Sequence, residues 1–412
     1  MYGLIIIMQE VFIMVTRDDV AKLACVSGAT VSRVFNNPQS VSQATRDRVL
    51  KAAKELNYHP NVIASNFTKG ISGNIGVVVP KIPKVHVFSV YYFAELLSGI
   101  GEALSEHGYN LVLFFHDISS ILNRSKISSG IADTSFDNIS SSQIITSNSE
   151  NLASDSENSA SHLEVNNFDN KSFIISGGNY EKYFTGGKVD GCILLGTYYN
   201  DPEIIKLKQR GYKFCLINNY MKDLDINFID VDNVKGSINA INYLVSLGHK
   251  NIAFLNGPAY FINSIDRLKG YKIALESNGI SFNKSLVLEG NYGRKSGYYA
   301  AKKILKLENR PTAVFVANDR MAVGLIQGLT EANIKVPEDI SVLGYDDSDV
   351  ATLITPSLTT MRISFYELGK RCATEFIKYI LNNENIFNIF VEPELVIRKS
   401  TAINFTYKLN KN

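Results

Sequence analysis

Between residues 75 and 347 the chain alternates short, nearly unbroken apolar runs with amphipathic stretches. The runs are IGVVVP (75–80), NLVLFF (110–115), GCILLG (191–196), KFCLIN (213–218), NIAFLNG (251–257), TAVFVAND (312–319) and ISVLGYDD (340–347). Helical apolar spacing fills the intervals at 93–107, 234–247, 266–278 and 320–333. A strand that is apolar at every position has both faces buried, so this rhythm demands parallel sheets covered by helices on both sides. More than ten candidate strands are too many for one compact sheet, and two doubly wound α/β lobes are expected.

Composition agrees and removes several other classes. With 412 residues, two or three domains are expected at about 150 residues each. The 45% hydrophobic and 20% charged content excludes collagen-like, disulfide-scaffold and wholly disordered chains. Net charge is only +2, yet residues 14–70 hold eight basic and four acidic side chains, so a small basic module precedes a neutral body. Cys25, Cys192, Cys215 and Cys372 are widely spaced and form no metal-ligand pattern, as expected of reduced thiols in a cytoplasmic protein. No metal and no cofactor is expected. No apolar run reaches the ~18 residues of a membrane span. The apolar start, MYGLIIIMQEVFIM, carries Glu10 and lacks both a basic leader and a cleavage site. Residues 1–13 are therefore expected to be a non-structural extension before Met14. Residues 118–172 contain sixteen Ser and eight Asn with one Gly and no Pro. Such a stretch cannot bury enough apolar surface to offset its ordering entropy, and a disordered surface insertion is expected.

Residues 17–57 hold three short helical patterns. Thr16 and Asp19 have capping-box spacing ahead of a Val20, Leu23, Ala24 stripe. After the turn Cys25-Val26-Ser27, Ser27 is placed to cap a second helix with Val31, Val34 and Phe35 inward. Ser42 is placed to cap a third, with Val49, Ala52, Ala53 and Leu56 on one side. Two short helices about a tight turn, backed by a third, make a small all-α helix-turn-helix headpiece.

The run VTRDDVAKLACVSGATVSRVFNNPQSVSQATRDRVLKAAKELNYHPN (15–61) resembles the DNA-binding headpiece of the lactose-repressor (LacI/GalR) family. The likeness continues through VDGCILLG (189–196), DVDNVKGSINAINYLVSLGHKNIAFLNGP (230–258), DRLKGYKIAL (266–275), FVANDRMAVGLIQGL (315–329), ISVLGYDDSDVATLITPSLTTMR (340–362) and PELVIRKST (393–401). It implies a homodimeric, sugar-responsive transcriptional repressor whose body has two lobes of the periplasmic-binding-protein type, joined by three crossovers. The boundaries expected are 14–59 for the headpiece and 60–73 for hinge helix and linker. The first lobe then takes 74–233 with 360–388, and the second 234–359 with 389–405.

In a helix-turn-helix the second helix offers its N-terminal residues to base edges in the major groove. Here these are Gly28, Ala29, Thr30, Ser32 and Arg33. Arg33 has the reach for a bidentate contact to guanine, and Gly28 and Ala29 stand where the family most often makes its base choice. Thr16, Ser27, Ser32, Asn36 and Thr45 are candidates for phosphate contacts, which set register without reading sequence. Asn61, Ala64 and Phe67 resemble the family's hinge helix, in which a leucine wedges into the minor groove; Phe67 stands in its place. The partner implied is a pseudo-palindromic double-stranded DNA operator.

An effector is expected between the lobes, at the carboxyl ends of the strands. The resemblance implies that Asp346 matches the family's carboxylate, which accepts from ligand hydroxyls, and Arg267 the arginine that donates to them; Asn318, Tyr92 and Phe93 are further candidates for lining the site. These groups suit a small polyol such as a sugar. A nucleobase or nucleoside responder shares the scaffold and stays open, as does a solute-binding protein without a regulatory role. The latter would need an export signal and no headpiece. No nucleophile elbow, phosphate-binding loop or His/Cys cluster suggests an enzyme. A cytoplasmic, nucleoid-associated protein is expected. The final residues, 404–412, hold no heptad repeat, so no tetramerisation tail is expected.

Overall fold

The computed structural model describes residues 15–58, 71–81, 90–117, 179–382 and 386–404. The N-terminal extension, the hinge with Asn61, Ala64 and Phe67, and the insertion 118–172 lie outside the described residues. The chain divides into two units, 1–73 and 74–412.

The first unit is three helices, α1 (Arg17–Leu23), α2 (Gly28–Asn36) and α3 (Gln43–Glu55). The expected capping box forms: the Asp19 amide donates to Thr16 Oγ1, and Asp19 Oδ2 accepts from the Thr16 amide at 2.9 Å. The Thr16 hydroxyl, donating to Asp19 Oδ2 at 2.6 Å, and then the Thr16 amide hold the Asp19 carboxyl below its usual range. The Thr30 amide donates to Ser27 Oγ at 3.2 Å and so caps α2. Cys25, at φ 53°, turns the chain between α1 and α2. Val20, Ala21, Ala24, Val31, Val34, Val49, Ala52 and Ala53 form the miniature core. Two expectations need correction. Leu23 is 45% exposed, and Ala21 takes its place inside, because three short helices leave no room for a leucine in every apolar slot. Ser42 occupies the N-cap of α3, but its hydroxyl donates to Thr45 Oγ1 at 3.0 Å and accepts from no backbone amide.

The second unit begins with β1 (Asn74–Lys81), α4 (Tyr91–Glu106), β2 (Asn110–Asp117), β3 (Gly191–Leu195), α5 (Pro202–Gln209), β4 (Phe214–Ile217) and β5 (Asn227–Val231). It continues with α6 (Asn233–Ser246), β6 (Ile252–Asn256), α7 (Ile262–Ser277), β7 (Val287–Glu289), α8 (Arg294–Ile304), β8 (Ala313–Val316), α9 (Asp319–Glu331), β9 (Ser341–Asp346), α10 (Val350–Leu353) and β10 (Thr359–Arg362). Helix α11 (Phe365–Asn382) and strands β11 (Asn388–Val391) and β12 (Glu394–Val396) close the described chain.

These strands make two six-stranded sheets, ordered β11-β5-β4-β3-β1-β2 and β12-β10-β9-β8-β6-β7. Every pairing is parallel except β10 with β12. The sheet centres are wholly buried, as their unbroken apolar sequences require: β3, β4, β6 and β8 carry no exposed position. The chain passes between lobes three times, after β5, after β10 and after β11. The last two passages fall later than the sequence boundaries of 360 and 389. Strand β10 pairs with β9 through Arg362, and β11 pairs with β5 through Val391. Both are only four residues long, and β11 is an edge strand with mixed burial, so periodicity gave no handle on which sheet would take them.

Helices α8 and α9 pack backbone to backbone. A Cβ on Gly297 would lie 1.9 Å from the Met321 carbonyl oxygen, and one on Gly324 would lie 1.9 Å from that of Arg294. Gly324→Ala must push the two helices apart and is expected to cost about 2–3 kcal/mol. Urea denaturation of the whole chain measures it, and a midpoint equal to the parent's would refute this packing argument.

Candidate functional site

Two regions concentrate solvent-facing chemistry, one in each unit. On the first unit, burial of Val31 and Val34 turns the opposite side of α2 outward. Ser27, Ala29, Arg33 and Asn36 are exposed there, with Gly28, Thr30 and Ser32 half-buried. Thr30 Oγ1 is held 3.0 Å from Ser27 Oγ, which fixes both hydroxyls at the helix start, where free amides favour an anion. A Cβ on Gly28 would lie 2.8 Å from Asp18 Oδ1 and 2.9 Å from Arg17 Nε, so the first turn of α1 leans directly on the start of α2. Arg17, half-exposed beside Asp18 at 3.3 Å, thereby joins this face. Sequence reading passed it over because it belongs to the other helix.

On the second unit the strands of each sheet end in polar residues: Asn218 after β4, Asp230 within β5, Asn318 after β8 and Asp346 closing β9. Arg267, 3% exposed on α7, is the centre of this cluster. Its Nε donates to Asn233 Oδ1 at 2.8 Å, its Nη1 donates to the Ala317 carbonyl, and its guanidinium lies 3.8 Å from the Tyr345 ring centroid. Three elements, α6, β8 and β9, thus immobilise a cation that no carboxylate bonds among the described residues. Tyr345 reaches it because residue 236 is glycine; a Cβ there would lie 2.2 Å from the Tyr345 hydroxyl.

Asp346 and Asp347 divide two tasks. Asp347 is ion-paired to Arg362 at 2.7 Å and Arg398 at 2.6 Å, which ties β9 to β10 and to the segment after β12. Asp346 sits at φ 108°, a backbone region that disfavours L side chains, and its carboxylate makes no hydrogen bond among the described residues. Burial raises its pKa well above the carboxylate range; Arg267 opposes the rise and Asp319 adds to it. A strained, unpaired acid facing a fixed guanidinium is a pair ready to be bridged by vicinal hydroxyls.

The remaining expected residues separate. Tyr92, on α4, packs edge-on against Phe93 at 4.8 Å and Phe365 at 5.0 Å. Its hydroxyl meets Asn218, and burial, with Asp230 and Asp346 in reach, pushes its pKa up. Phe93 is corrected: at 6% exposure it belongs to the first-lobe core beside Leu96 and Leu97. On a helix, adjacent residues point about 100° apart, so only one of the two aromatics can face outward. Asn318 is engaged as the N-cap of α9. Its Oδ1 accepts from the Met321 amide at 3.0 Å, and its Nδ2 donates to the Tyr292 carbonyl at 3.1 Å. A capping role fits it better than first contact with a ligand.

Sequence reading missed the aromatic rim. Tyr198 lies 5.7 Å from Tyr260 and stacks on Phe261 at 5.8 Å, ring to ring across the lobes. The Tyr199 amide donates to the Tyr260 carbonyl at 3.2 Å, and the Tyr220 hydroxyl donates to Asp266 Oδ2 at 2.9 Å. These loops have no periodicity, so only the fold reveals that they meet. Asp230, fully buried on β5, was likewise hidden inside the match DVDNVKGS. Burial raises its carboxyl to about 8, with Asp266 adding to the rise and Arg267 opposing it.

A helix-turn-helix unit followed by a two-lobed body with a polar, aromatic-rimmed cleft is the build of a ligand-responsive DNA-binding regulator. Residues 16–61 match the description "Bacterial regulatory proteins, lacI family", and residues 241–401 match "Periplasmic binding protein-like domain". The chain is 30% identical over 387 residues to the HTH-type transcriptional repressor CytR of Escherichia coli, covering 94% of this chain and 96% of that one. Among solved structures it resembles the lac repressor dimer bound to operator and the anti-inducer ONPF, at TM-score 0.70 and 25% identity, covering 94% and 99%. It also resembles the transcriptional regulator CelR–cellobiose complex, at TM-score 0.62 and 26% identity with the same coverage. The chain belongs to the lacI family of bacterial regulatory proteins, whose members are DNA-binding transcriptional regulators and not enzymes. No helix of the described residues is long and apolar enough to cross a membrane.

Asp230 has a stability signature with a defined sign. A carboxyl raised from 3.8 to about 8 on folding favours the native state when both forms are protonated, and this advantage is lost as pH rises from the unfolded pKa through the folded one. Asp230→Asn, which removes the charge and keeps the shape, should therefore melt above the parent at pH 8, with the gap closing toward pH 4. A gap independent of pH would refute the burial of this acid.

Proposed function

We propose that the protein is an effector-switched repressor that binds, as a homodimer, a pseudo-palindromic operator in cytoplasmic, nucleoid-associated DNA. Each headpiece reads one half-site through α2, with Arg33 donating to a guanine edge and Ala29 offering a methyl contact to thymine. Thr16, Ser27, Ser32, Asn36 and Thr45 hold phosphates. Asn61, Ala64 and Phe67, outside the described residues, are the proposed minor-groove contacts, with Phe67 as the wedge.

The observation that carries the effector half of this reading is the unbonded Asp346 carboxylate beside the immobilised Arg267. Acceptor and donor together suit a polyol with adjacent hydroxyls, and Tyr92 supplies a face on which a sugar ring stacks. A sugar is the effector class proposed; the likeness to a regulator solved with cellobiose supports it. A nucleobase or nucleoside would use the same aromatics, and it would depend on stacking more than on Asp346. The ligand acts through differential affinity for two lobe arrangements, shifting DNA affinity by a coupling energy of ~1–3 kcal/mol.

Two substitutions should fail differently. Arg33→Ala is expected to weaken binding to the chain's own upstream DNA by about 1–3 kcal/mol and to relax preference at one position of each half-site. Asp346→Ala should leave operator affinity near the parent's and abolish the ligand response. Gel shifts with and without a sugar panel decide both. An Asp346→Ala protein that responds like the parent sinks the pocket assignment, and an Arg33→Ala protein with unaltered sequence preference sinks the reading of α2.

A further inference from the structure

We infer that Arg17, from α1, reads a guanine edge beside α2, in place of the side chain that Gly28 lacks. The inference rests on the reading of α2 as the helix that enters the major groove, and it adds a reader from outside that helix. In a helix-turn-helix the first residues of the second helix face the base edges. Here the first turn of α2 brings no long donor to them. Gly28 has no side chain, Ala29 has only a methyl, and Val31 is buried in the miniature core. The Thr30 hydroxyl is engaged with Ser27 Oγ at 3.0 Å.

The space over Gly28 is filled from α1. A Cβ on Gly28 would lie 2.9 Å from Arg17 Nε and 3.3 Å from its Cζ, so the guanidinium rests directly on the start of α2. The Arg17 side chain nevertheless stays 53% exposed. Gly28 and Arg33 lie about 140° apart round the helix, and the exposed Ala29 falls between them. Two guanidinium groups, one from each helix, therefore flank a single methyl on the outward face of α2.

Asp18 sets the fork. Arg17 Nε and Nη2 both donate to Asp18 Oδ1 at 3.3 Å, which engages one edge of the guanidinium. Of its five N–H groups, one on Nη2 and both on Nη1 remain, and that second edge has the spacing of guanine O6 and N7. The same acid favours a base over the backbone. A phosphate approaching Arg17 would meet the Asp18 carboxylate, a like-charge contact that a neutral base edge avoids. So exposed an ion pair adds little stability, and its effect is orientation.

The test is selection from a randomised pool of duplex DNA by the whole chain, followed by sequencing, for the parent and for Arg33→Ala, Arg17→Ala, Arg17→Lys and Asp18→Ala. Arg17 and Asp18 are exposed and outside the miniature core, so these variants keep the fold. The parent should recover two guanine-specific positions in each half-site. Arg33→Ala should lose one and Arg17→Ala the other, each with affinity for the parent's best site falling about 5- to 100-fold. Arg17→Lys keeps the charge without the fork and should lose the same position as Arg17→Ala. Asp18→Ala should weaken preference there and nowhere else. A phosphate contact gives the opposite pattern: Arg17→Ala weakens all sequences alike and lowers the salt slope by about one, and Arg17→Lys restores both. That pattern overturns the inference, as does an Arg17→Ala selection identical to the parent's. If Arg33→Ala alone alters the selected site, the reading of α2 stands and only the role of Arg17 falls. If neither arginine matters, or the parent selects no sequence, both fall.

Discussion

A guanidinium cannot be dehydrated cheaply, and the body of this protein is organised around one that is. Arg267 is buried with its charge met by a side-chain amide, a backbone carbonyl and a tyrosine face in place of a bonded carboxylate. Each of those partners fixes an element: Asn233 the start of α6, Ala317 the end of β8, Tyr345 the end of β9. Tyr345 in turn requires the missing Cβ of Gly236. The second-lobe wall of the cleft is therefore set by one cation that no carboxylate among the described residues bonds.

The cleft has a second requirement, that its two walls meet. Backbone and side-chain bonds do this at the rim, between the loops after β3 and β6 and between Tyr220 and Asp266. The crossovers do it at the base, where β5, β10 and β11 each hand the chain to the other sheet. These bonds and three crossovers are the joint on which the proposed ligand response would have to act. The paired Asp347, by contrast, works within one lobe and keeps β9 and β10 in register whatever the joint does.

Much of this was legible in the residue order. Continuous apolar runs identified the central strands, because a strand buried on both faces has no other composition. The capping box at Thr16 and the cap at Ser27 located the headpiece helices to the residue, since caps are local chemistry. Arg267 and Asp346 stood at recognisable motif positions. Phe93 went wrong because two adjacent aromatics on a helix read alike until the helix has a core to face. Asn318 was read as a ligand contact when its amide was already needed to start α9. The short strands β10 and β11 drifted by a few residues because four residues are too few for a pattern that assigns them to one sheet.

The sequence by itself determined the kind of molecule: a small helical headpiece and two parallel-sheet lobes. Those follow from periodicity, caps and motif spacing, all of which are short-range. Only tertiary structure decided that Asp230 is fully buried with one oxygen unbonded, that Tyr198 stacks across to Phe261, and that Arg17 shares a surface with α2. Each of these depends on segments distant in sequence or on separate helices arriving at the same place. Proximity of that kind is set by the packing of whole elements, and no single stretch of residues encodes it.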